Sequence, residues 1–297
     1  MNGVIVIDKP EGLSSAQVVA RLKRCLGGLK VGHTGTLDPF ASGVMICCVS
    51  RATKLARYFL HGGKSYLATL CLGIETDTQD ATGQVTASSS TAGISEAAVI
   101  ECLAQFKGDM LQLPPVYSAL KHKGTPLYKL ARSGKPVQKP ARQVHISALK
   151  VMKMDLPEVS FFVTCSAGTY IRTLCADIGR QLGCGGHLKA LRRVESCGFD
   201  ISESIRLDQA IDPATADNIT SRIIPMAEAL RNMPCYVADS RLAALVTHGR
   251  PLTTQDLQLE GDATRGPYVK IIDTQKHLLA VLRTDDNVVK YDCIFRK

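Results

Sequence analysis

Apolar and polar positions along this chain change period several times, and each change marks an element. GVIVIDK (3–9) is a short apolar run and predicts a buried strand. Ser14 or Ser15 then caps a helix over AQVVARLKRCL, which Gly27-Gly28 ends. VMICCV (44–49) is continuously apolar, as a central strand requires, whereas ATKLARYFLHGG has helical spacing up to Gly62. KSYLATLCLGI (64–74) is rich in strand formers and runs into the polar loop ETDTQDATG. SEAAVIECLAQFKG (95–108) predicts a helix capped by Ser95. VHISALKVMKM and VSFFVTCSAG predict two strands paired about a turn at Asp155–Glu158. TYIRTLCADIGRQLG (169–183) places Ile171, Leu174, Cys175, Ile178 and Leu182 on one helical stripe, and HLKALRRVESCGF returns to strand.

Strands outnumber the helices available to cross between them, and several join through short turns. The pattern predicts an α+β fold with a largely antiparallel mixed sheet flanked by helices. From about residue 231 the character changes. A helix SRLAALVTHG, capped by Asp239, leads into PYVKIIDTQKHLLAVLRTDDNVVKYD, which reads as strands with polar turns. A main domain over 1–233 and a small β-rich domain over 234–297 are expected.

Composition alters this picture little. Hydrophobic residues are 45% and charged residues 21% of the 297, ordinary for a globular chain. No apolar run approaches the roughly 20 residues that cross a bilayer. MNGVIVIDKPEG has no basic stretch ahead of its short apolar patch, which argues against a signal peptide. The eleven cysteines form no CxxC and no regular spacing, so a reduced, cytoplasmic protein without a zinc site is expected. With no apolar repeat to mark a self-association surface, a monomer is expected.

Charge matters more. The net charge is +9, and between Asp109 and Asp155 there is no acidic residue but nine basic ones: Lys121, Lys123, Lys129, Arg132, Lys135, Lys139, Arg142, Lys150 and Lys153. Pro114, Pro115, Tyr117, Leu120, Leu127, Tyr128 and Leu130 interleave apolar anchors with these charges. That mixture predicts an ordered basic surface for nucleic acid and not a solvated tail.

VGHTGTLDPFASG (31–43) is the candidate site loop, with Asp38 its single charged side chain. Three readings are open from its residues. His33 and Asp38 could ligate a metal, but no third ligand lies nearby. The glycines could cradle a phosphate, but they match neither common phosphate-loop spacing. Asp38-Pro39 could simply start a turn.

Further segments narrow the choice: Asp8-Lys9-Pro10-x-Gly12-x-Ser14-Ser15 before the loop, then Lys64-x-Tyr66, Gly73-x-x-Thr76-Asp77-Thr78-x-Asp80-x-x-Gly83, Pro114-Pro115-x-Tyr117-Ser118-Ala119-x-Lys121 and Gly168-Thr169-Tyr170-Ile171-Arg172-Thr173. With these motifs in this order, the chain resembles the TruB family of bacterial tRNA pseudouridine synthases from its first residue to about 200. The tail more weakly resembles the PUA-type RNA-binding module such enzymes carry.

The resemblance implies isomerisation of the T-loop uridine of tRNA, position 55 in tRNA numbering, without metal or other cofactor. The T-arm of tRNA is the implied partner. Asp38 matches the family's nucleophile and Arg172 the arginine that pairs with it, a cation expected to reverse the rise in pKa that burial gives a carboxylate. Tyr66 matches the tyrosine that stacks on the flipped uracil, and His33 the histidine that fills the space the base leaves. Tyr170 and Leu191 match residues lining the uracil pocket, and Lys9 a lysine supporting the catalytic loop. Residues 114–144, with Lys121, Lys123, Lys129, Arg132 and Arg142, match an RNA-clamping insertion. The chain departs from the family pattern at Ile46, Ser50 and Ala16-Gln17. Other readings are a subunit of a guide-RNA particle, a tRNA-folding chaperone without essential catalysis, and a glycoside hydrolase, which would want paired carboxylates such as Asp77 and Asp80.

Overall fold

Eight consecutive buried residues, Ser42–Val49, form the strand around which the chain is organised in the computed structural model, which describes residues 1–212, 216–257, 267–285 and 288–295. Ahead of it come β1 (Gly3–Lys9), α1 (Ser15–Cys25) and β2 (Val31–Thr34), so the organising strand is β3. β3 pairs antiparallel with both β1 and β2. Val44, Ile46 and Cys48 enter one core, while Met45, Cys47 and Val49 enter another beneath α1. With both faces covered, the strand reads as a continuous apolar run and not as an alternation.

Ser14 caps α1. Its hydroxyl accepts from the Gln17 N–H and the Gln17 carboxamide accepts from the Ser14 N–H, a closed capping box. Gln17 is one of the departures from the family pattern, and it serves the helix start. Ser50 is another: it has φ +55°, a left-handed conformation that glycine adopts more easily. ATKLARYFLHGG is not the single helix expected. The Ser50 N–H is committed to the Lys30 carbonyl, and the chain tightens into a 3-10 segment, Ser50–Leu55, before one α-helical turn, α2 (Ala56–Phe59).

β4 (Lys64–Leu72) follows, then the small ribbon β5 (Ile74–Thr76) and β6 (Val85–Ser88), α3 (Glu96–Gln105) capped by Ser95, and β7 (Gly108–Gln112). The basic insertion holds a short hairpin, β8 (Lys121–His122) with β9 (Thr125–Pro126), and α4 (Leu127–Arg132). Next come β10 (Arg142–Asp155), β11 (Glu158–Cys165), α5 (Ile171–Gln181) and β12 (Gly186–Ser196). The main sheet runs in the order Ile205–Arg206, β1, β3, β12, β4, β11, β10, β7. Among the described residues its parallel pairings are β1 with Ile205–Arg206 and β3 with β12. The sheet is therefore mixed and largely antiparallel, as expected.

On β4 and β11 the residues Tyr66, Ala68, Leu70, Val159, Phe161 and Val163 point into a core shared with α3 and α5. The β3–β12 junction needs a glycine. A Cβ on Gly43 would lie 2.1 Å from the Arg193 carbonyl oxygen, so only glycine lets the start of β3 lie against β12.

Cys235–Val237, Tyr268–Ile272, Leu278–Asp285 and Val288–Ile294 form a separate four-stranded sheet, with the Asp239-capped helix Ser240–Thr247 against it. Its Ile272, Leu278, Val281 and Phe295 join Val4, Val44 and Phe59 in one core. The small β-rich unit is thus seated on the main one. All eleven cysteines are free, and no described helix is long and apolar enough to cross a membrane.

Candidate active site

The loop between β2 and β3 carries Asp38, and the chain fixes it on both sides. Ser15, expected as a possible helix cap, is instead buried beneath the loop. Its hydroxyl accepts from the Leu37 N–H at 2.9 Å and donates to the Leu37 carbonyl at 3.0 Å. On the other flank the Lys9 ammonium, fully buried, donates to the carbonyls of Pro10 (2.8 Å), Leu13 (2.7 Å) and Pro39 (3.2 Å). The Gly12 N–H also donates to Pro39. Further up the loop, the buried Arg193 donates to the Gly35 carbonyl at 3.1 Å and to the Val44 carbonyl at 2.7 Å. Asp38 is therefore presented by a backbone held at Gly35, Leu37 and Pro39. Its position does not depend on solvent.

Opposite the loop, α5 brings up Arg172, whose side chain is 5% exposed. Its Nε lies 2.9 Å from Asp38 Oδ2 and its Nη2 3.5 Å from Oδ1. The same guanidinium donates to the Thr78 carbonyl at 3.0 Å and the Tyr117 carbonyl at 2.9 Å. Its Nη1 lies 3.4 Å from Asp80 Oδ2. Arg172 thus gathers three segments far apart in sequence: the Asp38 loop, the 77–83 loop and the root of the basic insertion.

Asp80 is the residue that sequence reasoning undervalued. Its other oxygen, Oδ1, accepts from the Thr78 hydroxyl, the Thr82 N–H and the Thr82 hydroxyl, so the carboxylate is locked toward Arg172. The signal was present in Thr76-Asp77-Thr78-x-Asp80, but nothing local in that string shows which cation it meets. Arg172 consequently faces two carboxylates. The expected reversal of Asp38's pKa does not occur: burial raises it above the ordinary value, Arg172 only partly opposes this, and Asp80 adds to the rise.

Tyr66 lies on β4, 7% exposed, directly across from Arg193 on β12. Burial pushes its phenol up to about 12, with Arg193 opposing. Leu191 and Leu37 share its apolar cluster. His33 lies on β2, a strand where only a loop was expected, and its Nδ1 is buried with no partner. Burial, then Arg193, lowers its pKa, so it is neutral. Burial likewise lowers Lys9, to about 8, with Asp38 opposing.

Tyr170 is the residue before the first turn of α5, with its ring against Arg142. The structure therefore brings Asp38, Arg172 and Lys9 together, with Tyr66 and Leu191 in the apolar cluster that holds Leu37, while His33 is tied in through Arg193 and Tyr170 stands two residues before Arg172. Lys121, Lys123, Lys129 and Arg132 are exposed on the insertion, apart from this cluster, while Arg142 is half-buried beside Tyr170. Among the described residues no three His, Cys, Asp or Glu side chains gather in a way that could hold a metal ion.

Two family models match this chain. The N-terminal domain of TruB family pseudouridylate synthase matches residues 23–171, and the tRNA pseudouridylate synthase B C-terminal domain matches residues 172–231. A tRNA pseudouridine synthase B of Burkholderia mallei is 43% identical over 289 residues, covering 97% of this chain and 95% of its own. One from Francisella tularensis subsp. novicida is 49% identical over 222 residues, 74% of each chain. Among solved structures, a Cbf5-Nop10-Gar1 complex contains a chain similar at TM-score 0.75 and 28% identity, over 98% of this chain and 84% of that one. An H/ACA RNP bound to a substrate RNA containing 2′-deoxyuridine gives TM-score 0.74 at 26% identity, over 99% and 85%. Fold and matches together define a pseudouridine synthase, an RNA isomerase. Within that class, the chain belongs to the TruB family.

Proposed function

We propose that this enzyme converts the T-loop uridine of tRNA, position 55 in tRNA numbering, to pseudouridine, with Asp38 as its nucleophile. The observation that carries the reading is the Asp38–Arg172 pair at 2.9 Å, on a loop held from below at Gly35, Leu37 and Pro39. In the reaction the C1′–N1 bond breaks, the uracil turns, and a C1′–C5 bond forms. The C5 proton departs and N1 gains one, so no redox equivalent is needed. A carboxylate that attacks the sugar at C1′ or the base at C6 holds one fragment during the turn. Arg172 keeps Asp38 in its ionised form more readily than burial alone would allow.

The uridine must leave its stack, at a cost of a few kcal/mol. Stacking on Tyr66 returns roughly 1–3 kcal/mol. The neutral imidazole of His33 fits the role of filling the vacated space. The exposed cations of the insertion supply phosphate contacts, and residues 234–297 act as a PUA-like RNA-binding unit beside the 1–233 catalytic unit. The bacterial relatives named for tRNA support this substrate.

A second reading, a guide-RNA-particle subunit, is favoured by the solved-structure neighbours and predicts no activity on free tRNA. The test is tritium release from tRNA labelled at uracil C5, wild type beside Asp38→Ala. Release by wild type on free tRNA, lost in Asp38→Ala while tRNA binding persists, is the expected result. Release that survives the substitution removes Asp38 as nucleophile.

A further inference from the structure

The basic insertion leaves the sheet after Gln112 and returns to it at Arg142, and these two residues face each other across the β7–β10 pairing. Both reach the same turn, Gly168–Arg172. The Gln112 carboxamide, 1% exposed, accepts from the Tyr170 N–H at 2.7 Å and donates to the Tyr170 carbonyl at 3.0 Å. One side chain thereby satisfies both backbone groups of one residue, as a strand neighbour would.

Arg142 holds the other side. Its guanidinium carbon lies 4.8 Å from the centre of the Tyr170 ring, within cation–π range, and its Nη2 donates to the Gly168 carbonyl. Gly168 has φ +91°, and a Cβ there would sit 3.1 Å from that guanidinium carbon. The glycine both makes the turn and leaves room for the flat cation to lie against backbone on one side and phenol on the other. The Nε of Arg142 is buried in this packing. The remaining root of the insertion is tied in too, through the Tyr117 carbonyl on Arg172.

We propose that Gln112 and Arg142 are positioning residues: the neck of the insertion holds the Tyr170 ring in place, and Arg142 does this in place of contacting phosphate. The geometry distinguishes Arg142 from Lys121, Lys123, Lys129 and Arg132, which project from the insertion and are exposed. A guanidinium already engaged by a carbonyl and a ring would have to leave both to reach RNA. RNA gripped by the insertion pulls on a neck whose two strands end on Tyr170, so grip and pocket shape are mechanically one. This inference rests on the reading of Tyr170 as a wall of the base pocket.

The test uses the full chain and C5-tritiated tRNA, measuring single-turnover release and tRNA affinity across a salt series. Arg142→Met is expected to slow release about tenfold, since a small misplacement near the chemistry is enough for that. Its tRNA affinity and salt slope should stay at wild-type values, and Arg142→Lys, which keeps the charge but not the planar fork, should restore less than half of the rate. In a Tyr170→Leu background, Arg142→Met should add nothing further. Gln112→Met, which can neither accept from the Tyr170 N–H nor donate to the Tyr170 carbonyl, should slow release with affinity unchanged.

A salt slope flattened by about one phosphate's worth in Arg142→Met would make Arg142 a phosphate contact and overturn the proposal. So would an unchanged rate, or a full tenfold loss in the Tyr170→Leu background. Asp38→Ala, run alongside, separates the two readings. If it retains release, the nucleophile assignment fails whatever Arg142 does; if it is dead while Arg142→Met is normal, only the present inference fails.

Discussion

Raising the pH through about 8 should slow the reaction by loosening the backbone beside Asp38, and Lys9 is the group responsible. Its ammonium has three N–H donors, and three carbonyls take them. The lowering from 10.5 to about 8 means that holding the charge in this buried place costs on the order of 3 kcal/mol. Once the proton leaves, the amine has two N–H groups and a lone pair, and one carbonyl must lose its donor. The longest contact, 3.2 Å to Pro39, is the weakest and adjoins Asp38. A charge-assisted hydrogen bond is worth about 1.5–3 kcal/mol, but the Gly12 N–H remains on Pro39 and limits the displacement. A loss of about tenfold in rate is therefore expected, short of abolition.

The assay is single-turnover tritium release from about pH 6 to about pH 9.5, for wild type, Lys9→Met and Lys64→Met. Wild type should lose rate with a midpoint near 8. Lys9→Met should start near the wild-type alkaline plateau and show no such limb. Lys64, also lowered by burial, donates to the Gly62 carbonyl and not to the three that Lys9 holds, so Lys64→Met should keep the limb. Ionisation of the uracil itself would leave a limb in every variant, so the comparison decides. A Lys9→Met enzyme with full rate at pH 7, or with the wild-type alkaline limb intact, refutes the reasoning. Stability should move the opposite way to the rate. The folded state releases this proton before the unfolded chain does, so the penalty is complete below about pH 8 and fades as pH rises toward 10.5.

Asp80→Asn should move the acid limb of the same profile to lower pH. The Asp80 carboxylate sits against the same guanidinium and adds to the rise of Asp38's pKa, so removing its charge leaves Arg172 less opposed. The Asn oxygen still serves Thr78 and Thr82, so an unmoved or raised limb would show that Asp80 does not bear on Asp38. Replacing Lys121, Lys123 and Lys129 together by alanine should lower the salt slope of tRNA binding by about two to three, and an unchanged slope removes these residues from the contact surface.

What the sequence made legible was local or carried by a motif. The α1 cap, the continuously buried β3, the Ser95 and Asp239 caps, the strand-forming composition of β4 and the turn between β10 and β11 are set by residues within a few positions of each other. The strand Val31–Thr34 was not legible, because VGHT carries a single strongly apolar residue and becomes a strand only through its partner β3. Ser15 reads as a cap and serves as an anchor for Leu37, 22 positions on. Arg142 reads as one more charge of the basic block, and its orientation toward Gly168 is fixed by the pairing of β7 with β10. The direction of Asp38's pKa was beyond any motif. It depends on how far burial and Asp80 outweigh Arg172, which is a balance of distances between three segments.

A carboxyl that holds its proton more tightly in the folded protein than in the unfolded chain subtracts from stability at neutral pH. Asp38 is such a group. Between the ordinary value of 3.8 and its raised folded value, the folded state binds more protons, so this group's contribution falls as pH rises and is fully unfavourable above the folded value. Charge counting at the site agrees: one guanidinium meets two carboxylates, and Asp80, at 5% exposed, is the more deeply buried partner. Asp38→Asn leaves Arg172 and Asp80 as a balanced pair and keeps an oxygen facing the guanidinium. It should therefore melt higher than wild type at pH 7.5, and the advantage should shrink to nothing near pH 4, while tritium release is lost. Thermal melts at the two pH values decide. A variant that melts lower at neutral pH would mean that Arg172 outweighs burial at Asp38, so that the nucleophile stabilises the fold it works in and the trade between stability and activity at this loop does not exist.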